Sequence, residues 1–455
     1  YVDSFCGGCA TGSIRVGGLA SEAPPGALEE SLPTICCAMG ISREAHSRAP
    51  LRPASCCRDV GETIRITGTL RPGRFGSMES TLKQLVEYLK GTGFTALACV
   101  PALRRSVLAL PLEPLVAAAF LRRRTSLFTP TTLSPLYLSM ASHGSRDLRT
   151  LFRLFHLNEV VGSADYERAV LAQLGALLVE KGIVAERGDG LRSTVRFIPF
   201  RDLLILCDPD EGADRRIVRY VYAGGDSVVL ADFVERRLGA ERFRRGLDLC
   251  AGTAFQALSC AGRCDELLAA EYNPRAVEFA GLNVSLNGCD GRITVVQSDL
   301  WENVEGRFDL IVSNPPYYPM SPEQRIETVL DVFGGDLYGM EKPLEIVRGF
   351  GEHLEENGYA AVLAASPVVA GRSLLEEHLL PAAQSVGLEI TLHAWEYTSI
   401  KLDHDYQRRE GIDYLIHYVI EARKTGRASI RTVPLPFPVR SVQILKARLA
   451  LALSR

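Results

Sequence analysis

The sequence predicts an α/β fold, a largely parallel sheet wrapped by helices, with a helical module in front of it. Three observations carry this. Between Arg245 and Asn314, four short apolar runs each end in an acid or an asparagine. Helical spacing fills the gaps after the first two, the strand–helix alternation that a parallel sheet requires. Three further apolar runs, residues 359–365, 388–395 and 414–422, complete the sheet, the last two as an antiparallel pair.

Taken in order, residues 1–77 are rich in Gly, Pro, Ser, Ala, Arg and Cys and lack sustained apolar periodicity. They are expected to be disordered. The chain begins at Tyr1, whereas Met78 leads directly into a helical pattern over residues 79–89. Met78 therefore reads as a natural start, and the stretch before it as upstream sequence that need not be native. It has no basic segment followed by an apolar core, which argues against a targeting peptide. Cys6, Cys9, Cys36, Cys37, Cys56 and Cys57 fall here. Adjacent cysteines suit the paired spacing of zinc ligands poorly, so no metal is expected.

Residues 78–208 read as a substrate or partner module. Residues 106–121 are apolar but contain two prolines and Glu113, which suits a buried helix better than a membrane span. Residues 148–157 and 164–181 read as helices with one apolar face. Residues 182–185 and 191–207 read as strands around the turn Gly188-Asp189-Gly190. Helices followed by a two-stranded wing resemble a winged-helix module. The domain that follows is assigned to residues 209–432. Within it, residues 399–409 are polar and read as a solvated hairpin loop, where His404 and Asp405 are the groups able to help place a substrate. Residues 433–455 form a tail with Pro434, Pro436 and Pro438, then a short helix.

The chemistry lies where the strands end. Residues 245–250 form the first strand, and Ala251-Gly252-Thr253-Ala254 make a small-residue turn into a helical run. Such turns let backbone approach a ligand, and open α/β sheets bind nucleotides at this edge. Glu271 ends the second strand 23 residues after Asp248. That offset is close to the ~20 residues of a ribose-binding acid. Asp299 follows the third strand, in reach of an adenine amino group. The fourth strand ends in Asn314-Pro315-Pro316-Tyr317. An amide or exocyclic amino nitrogen is a poor nucleophile because its lone pair is delocalised. Acceptors from the Asn314 side chain and the Pro315 carbonyl would hold its two N–H groups and aim the lone pair. The prolines stiffen that loop, and Tyr317 offers a flat face for stacking. Taken alone, the tetrapeptide also suits a plain turn closing a strand.

In combination these motifs resemble the class I S-adenosylmethionine-dependent methyltransferases, and within them the "small domain" group. That group includes release-factor and ribosomal-protein glutamine N-methyltransferases and ribosomal RNA guanine N2-methyltransferases. The resemblance covers roughly residues 231–423. It is supported by the acid-x-x-x-x-Ala stretch from Glu271 to Ala276, by Asn283, and by the Gly-rich segment at residues 334–341. It implies a Rossmann-like, seven-stranded methyltransferase domain. The implied cofactor is S-adenosylmethionine, held by Asp248, Ala251, Gly252, Thr253, Glu271, Tyr272, Asn273, Asp299, Leu300 and Asn314, with Asp248 facing the methionine amino group. Asn314, Pro315, Pro316 and Tyr317 are the implied catalytic residues. One departure stands out. The family's first motif reads Asp-x-Gly-x-Gly-x-Gly, and Cys250 and Ala254 replace its outer glycines here.

Composition narrows the acceptor only in part. Apolar residues make up 47% and charged residues 23% of 455, ordinary for a globular chain. A net charge of −3 gives no overall pull toward nucleic acid, and Arg122-Arg123-Arg124 is the sole compact basic run in the first module. The expected acceptor is a protein glutamine amide or a small-molecule nitrogen, in the cytoplasm and without a membrane span. An RNA or DNA base amine, or a non-catalytic cofactor-sensing regulator, are the alternatives. Cys207, Cys250, Cys260, Cys264 and Cys289 lie in apolar segments, where cysteine acts as a small buried hydrophobe.

Overall fold

The computed structural model describes residues 65–66, 76, 78–99, 142–209, 221–321, 323, 334–335, 338–400, 403–437 and 439–454. All of them belong to one of the two compact units into which the chain divides; the other, residues 8–62, lies outside the described residues. So do the six N-terminal cysteines, the apolar stretch at 106–121 and the arginines at 122–124. Within residues 1–77, Arg65–Ile66 forms a short strand, β1.

The first module packs around aromatic side chains. Helix α1 (Glu79–Gly91) buries Leu82, Leu85, Val86 and Leu89, the i, i+3, i+4, i+7 stripe its sequence carries. Helix α2 (Arg146–Leu151) starts at Ser145, whose hydroxyl accepts the Leu148 N–H at 3.2 Å. It runs on into one π-type turn over Phe152–His156. After β2 (Val161–Gly162), the expected long helix is two, α3 (Ser163–Ala169) and α4 (Ala172–Glu180). Val170 breaks them in extended backbone, and Tyr166 bridges the break by donating to the Gly175 carbonyl at 3.0 Å. Apolar spacing does not register such a break, because both halves turn the same faces inward.

Strands β3 (Val184–Arg187), β4 (Gly190–Ser193), β5 (Arg196–Phe200) and β6 (Leu203–Cys207) follow. The expected two-stranded wing is in fact a three-stranded sheet, β2-β4-β3, plus a separate β5-β6 hairpin. That hairpin faces two ways. Phe197, Leu204 and Leu206 pack into the aromatic core of the first module. Ile198, Phe200, Ile205 and Cys207, pointing to the opposite side, pack into the core of the large sheet.

The large sheet is built from α5 (Gly225–Leu238), β7 (Phe243–Leu249), α6 (Phe255–Cys260), β8 (Cys264–Glu271), α7 (Pro274–Leu286), β9 (Ile293–Gln297) and β10 (Phe308–Ser313). It continues with α8 (Glu341–His353), β11 (Leu354–Val369), β12 (Arg372–Ser373), α9 (Leu374–Val386), β13 (Leu388–Thr398), α10 (His404–Arg409), β14 (Ile412–Lys424), β15 (Ser429–Val433) and α11 (Val439–Leu453). The strand order is β1-β9-β8-β7-β10-β11-β14-β13-β15, with β12 on β11. β9, β8, β7, β10 and β11 run parallel, and β14 pairs antiparallel with both β11 and β13. These are the seven expected strands; β1, β12 and β15 extend them to ten. From β7 the chain steps outward through β8 to β9, then returns to place β10 on the other side. Between β7 and β10 lies the topological switch point, where such sheets open a crevice.

Two buried amides join parts the sequence had left apart. Asn283 of α7 accepts the Leu206 N–H at 2.7 Å and donates to the carbonyls of Leu206 at 2.9 Å and Thr253 at 3.1 Å. It therefore ties the hairpin to the small-residue turn after β7. Asn283→Ala would orphan three buried backbone groups, and a stability loss of roughly 2–4 kcal/mol is expected in denaturant unfolding. A loss below about 0.5 kcal/mol would show the tie to be dispensable. Gln407 of α10 is the other. Fully buried, it accepts the Ile400 N–H at 2.7 Å and donates to the Ile412 carbonyl at 3.1 Å. Residues 399–400 and 403–409 are thus not a solvated loop. Tyr406 packs there with Tyr318, Met320, Ile400, Ile412 and Leu415 beneath the loop after β10. No described helix is long and apolar enough to cross a membrane.

Candidate active site

The turn after β7 has an unusual backbone. Cys250, Gly252 and Ala254 all adopt left-handed φ, at 60°, 54° and 59°. Glycine does this freely, whereas a residue with a Cβ is strained by about 1–2 kcal/mol. Cys250 and Ala254 therefore carry the strain of that conformation. A Cβ built on Gly252 would meet nothing within 4 Å, so this position faces open space.

Glu271 holds the turn in place. Its Oε2 accepts the Gly252 N–H at 2.8 Å and its Oε1 the Asn273 N–H at 2.8 Å. Asn273 in turn caps α7, accepting the Arg275 N–H at 3.0 Å. Tyr272 is exposed between them, Asp299 is exposed beyond β9, and Leu300 is buried with φ 46°. Ala251 and Thr253 are buried in the turn.

Asp248 is the most constrained acid. It is fully buried; Oδ2 accepts the Ala257 N–H at 2.8 Å, and Oδ1 has no hydrogen-bond partner among the described residues. Burial, then the Glu271 charge, push its carboxyl well above the ordinary range. A buried acid oxygen left without a donor, beside an open Gly252, fits a ligand that brings a cation.

Asn314 to Tyr317 follow β10 directly across the switch point, because Ser313 pairs with Leu249 in register and donates to its carbonyl at 2.6 Å. The Gly-rich segment supports this loop by close approach. A Cβ on Gly334 would lie 2.7 Å from the Tyr317 Cα, and one on Gly339 would lie 2.7 Å from the Tyr317 carbonyl oxygen. No side chain fits at either place.

The N-terminus of α5 was missed by sequence reasoning. Asn314 Nδ2 donates to Ser227 Oγ at 3.1 Å, and the Tyr317 hydroxyl donates to Asp226 Oδ2 at 3.3 Å. The only signal was Gly224-Gly225-Asp226-Ser227 ahead of a helical pattern. On the far side, the Tyr317 ring meets His417 edge-on at 6.1 Å, and His417 lies 5.2 Å from Trp395. Asn314, Tyr317, Asp226, Ser227 and Asp248 are thus gathered around the end of the sheet where the expected cofactor and acceptor residues meet.

Residues 226–331 match the methyltransferase small domain family model. The matched segment starts at Asp226, so it takes in the α5 residues that contact the loop after β10. A candidate protein N5-glutamine methyltransferase of Methanocaldococcus jannaschii is 33% identical over 122 residues, covering 26% of this chain and 61% of that protein. The release factor glutamine methyltransferase of Agrobacterium fabrum is 32% identical over 149 residues, 30% of this chain and 52% of its own. The chain spans about half to three-fifths of the length of these curated relatives. Among solved structures, a methyltransferase from Pyrococcus furiosus aligns over 44% of this chain and 83% of its own, at 18% identity and a TM-score of 0.31. The strand order, read directly, carries the fold, and the matched segment holds the switch-point crevice.

Proposed function

We propose that this chain is an S-adenosylmethionine-dependent N-methyltransferase acting on the side-chain amide of a protein glutamine. The observation that supports it most is the seating of Asn314-Pro315-Pro316-Tyr317 beside β7, with the buried, unpartnered Asp248 oxygen across the switch point. The names of the relatives, which specify glutamine, favour that acceptor.

Asp248 would hold the cofactor's ammonium and Glu271 its ribose, with Asp299 at the adenine. Ala251, Gly252 and Thr253 would meet it with backbone, flanked by Tyr272, Asn273 and Leu300. Bound there, the cofactor supplies a methyl group on a sulfonium. Asn314 and the Pro315 carbonyl hold the two N–H groups of the acceptor, Pro316 keeps the loop rigid, and the Tyr317 ring stacks on the planar amide. Orientation of this kind is the main contribution a protein makes to such a displacement. After transfer the acceptor nitrogen would carry a spare proton, which it would give to water. No general base is required.

In this reading residues 78–208 recognise the acceptor protein, residues 209–432 carry the reaction, residues 433–455 are a C-terminal extension, and the protein works in the cytoplasm. The test is transfer of labelled methyl from the cofactor into a cell extract by the full chain. Label recovered on glutamine after proteolysis is the expected result. Label in RNA or in small molecules would overturn the glutamine assignment, and cofactor binding with no label anywhere would favour a sensor.

A further inference from the structure

The loop after β10 can aim an acceptor nitrogen only if the Asn314 amide points the right way. An amide fills nearly the same space in either orientation, but only its oxygen can receive an N–H. We propose that Ser227, with Asp226 beside it, is the positioning residue that fixes this orientation, turning Asn314 Nδ2 inward and leaving Oδ1 for the acceptor. This rests on the N-methyltransferase reading above.

A hydroxyl alone would not decide the matter, since it donates or accepts equally well. The carboxylate beside it does. Asp226 is buried, 6% exposed, and its Oδ1 accepts the Ser227 N–H at 2.8 Å while Oδ2 accepts from Tyr317. This carboxyl acts on the Asn314 side chain as well, beside the bond to Ser227 Oγ. An ionised carboxylate only accepts, so it repels the amide oxygen and draws the amide nitrogen. Burial raises the Asp226 carboxyl, and Ser227, Asn314 and Tyr317 pull it back.

Ser227 is itself anchored. Gln256 donates from Nε2 to the Ser227 carbonyl at 2.9 Å. Gln256 is in the first turn of α6, just after the strained turn. Two hydrogen bonds therefore run from the cofactor side to the acceptor side, Gln256 to Ser227 and Asn314 to Ser227. The same pair of residues sets the Tyr317 ring through Asp226, so the stacking face and the amide share one support.

The decisive comparison is Ser227→Ala against Ser227→Thr in the full chain. Ser227→Ala should lower kcat about tenfold or more, with cofactor Kd and melting temperature nearly unchanged, and Ser227→Thr should restore most of the rate. Asp226→Asn, able to donate as well as accept, should also lower kcat, and the double variant should lose less than the product of the two. An unchanged rate in Ser227→Ala, or equal losses in the alanine and threonine variants, would overturn the role. A fall in rate matched by a fall in cofactor affinity would do so too.

A second measurement stands apart from turnover. With nitrogen-15-labelled asparagine, the Asn314 side-chain amide protons, identified by their loss in Asn314→Ala, should exchange slowly with solvent in the parent and much faster in Ser227→Ala. Equal exchange rates would overturn the inference whatever the reaction proves to be. No transfer by the parent, with the exchange difference intact, would count against the functional reading alone.

Discussion

Replacing Asn314 with alanine is expected to reduce methyl transfer at least about a hundredfold while cofactor affinity stays within about twofold. The asymmetry follows from geometry. Asn314 bonds to Ser227 on α5, and its backbone continues a strand held by Leu249, so truncating it leaves the turn from Cys250 to Ala254 untouched. What disappears is the oxygen that would hold one acceptor N–H, and with it the alignment of a weak nucleophile. Single-turnover rates with saturating cofactor, set beside calorimetric affinities, separate the two effects. Near-parental transfer would reduce the motif to a turn that closes a strand.

Asp248→Asn is expected to have the other large effect, in the opposite direction on binding and on stability. Losing a charged partner for an ammonium should weaken cofactor affinity by about tenfold to a hundredfold. Without cofactor, the variant should be the more stable protein above the acid range. The Asp248 carboxyl is raised well above 3.8 in the folded chain, so the folded state binds its proton more tightly than the unfolded state does. Stability from this group is therefore full below about 3.8 and falls as pH rises through the folded value. Asparagine has no proton to lose and removes that decline. Melting temperatures across pH, with and without cofactor, check both halves. Cofactor binding should also release a proton from Asp248, measurable by calorimetry in two buffers of different ionisation enthalpy. A variant with the parental pH slope would sink the assignment.

Much of this was legible in the residues, for identifiable reasons. Strands β9 and β10 run from Ile293 to Gln297 and from Phe308 to Ser313, where the apolar runs begin and end, because strands buried on both faces read as continuous apolar runs. Asp299 after β9 and Asn314 after β10 were visible because a polar group closing such a run has few other uses. The strain at Cys250 and Ala254 was not, since neither residue announces a left-handed backbone. Nor was the part played by Asp226 and Ser227, which lie far from the loop in sequence and meet it only when α5 packs beside the sheet. Helix α10 was missed because six residues around two buried side chains, Tyr406 and Gln407, leave too short a pattern to rise above polar neighbours. The glycines at 334 and 339 stood out only through the resemblance; the reason for them is the backbone of Tyr317 pressed against each.

The hairpin of β5 and β6 is a party wall. One row of its side chains belongs to the aromatic core and the alternate row to the sheet, while Asn283 holds its backbone from the sheet side. A wall of this kind has no free face to present if either neighbour is taken away. Packing therefore continues across position 208, where the sequence pattern changes. Whatever the first module grips, it does so as part of the same cooperative body that carries the strained turn, and a fragment cut at 208 would bare one half of a shared interior.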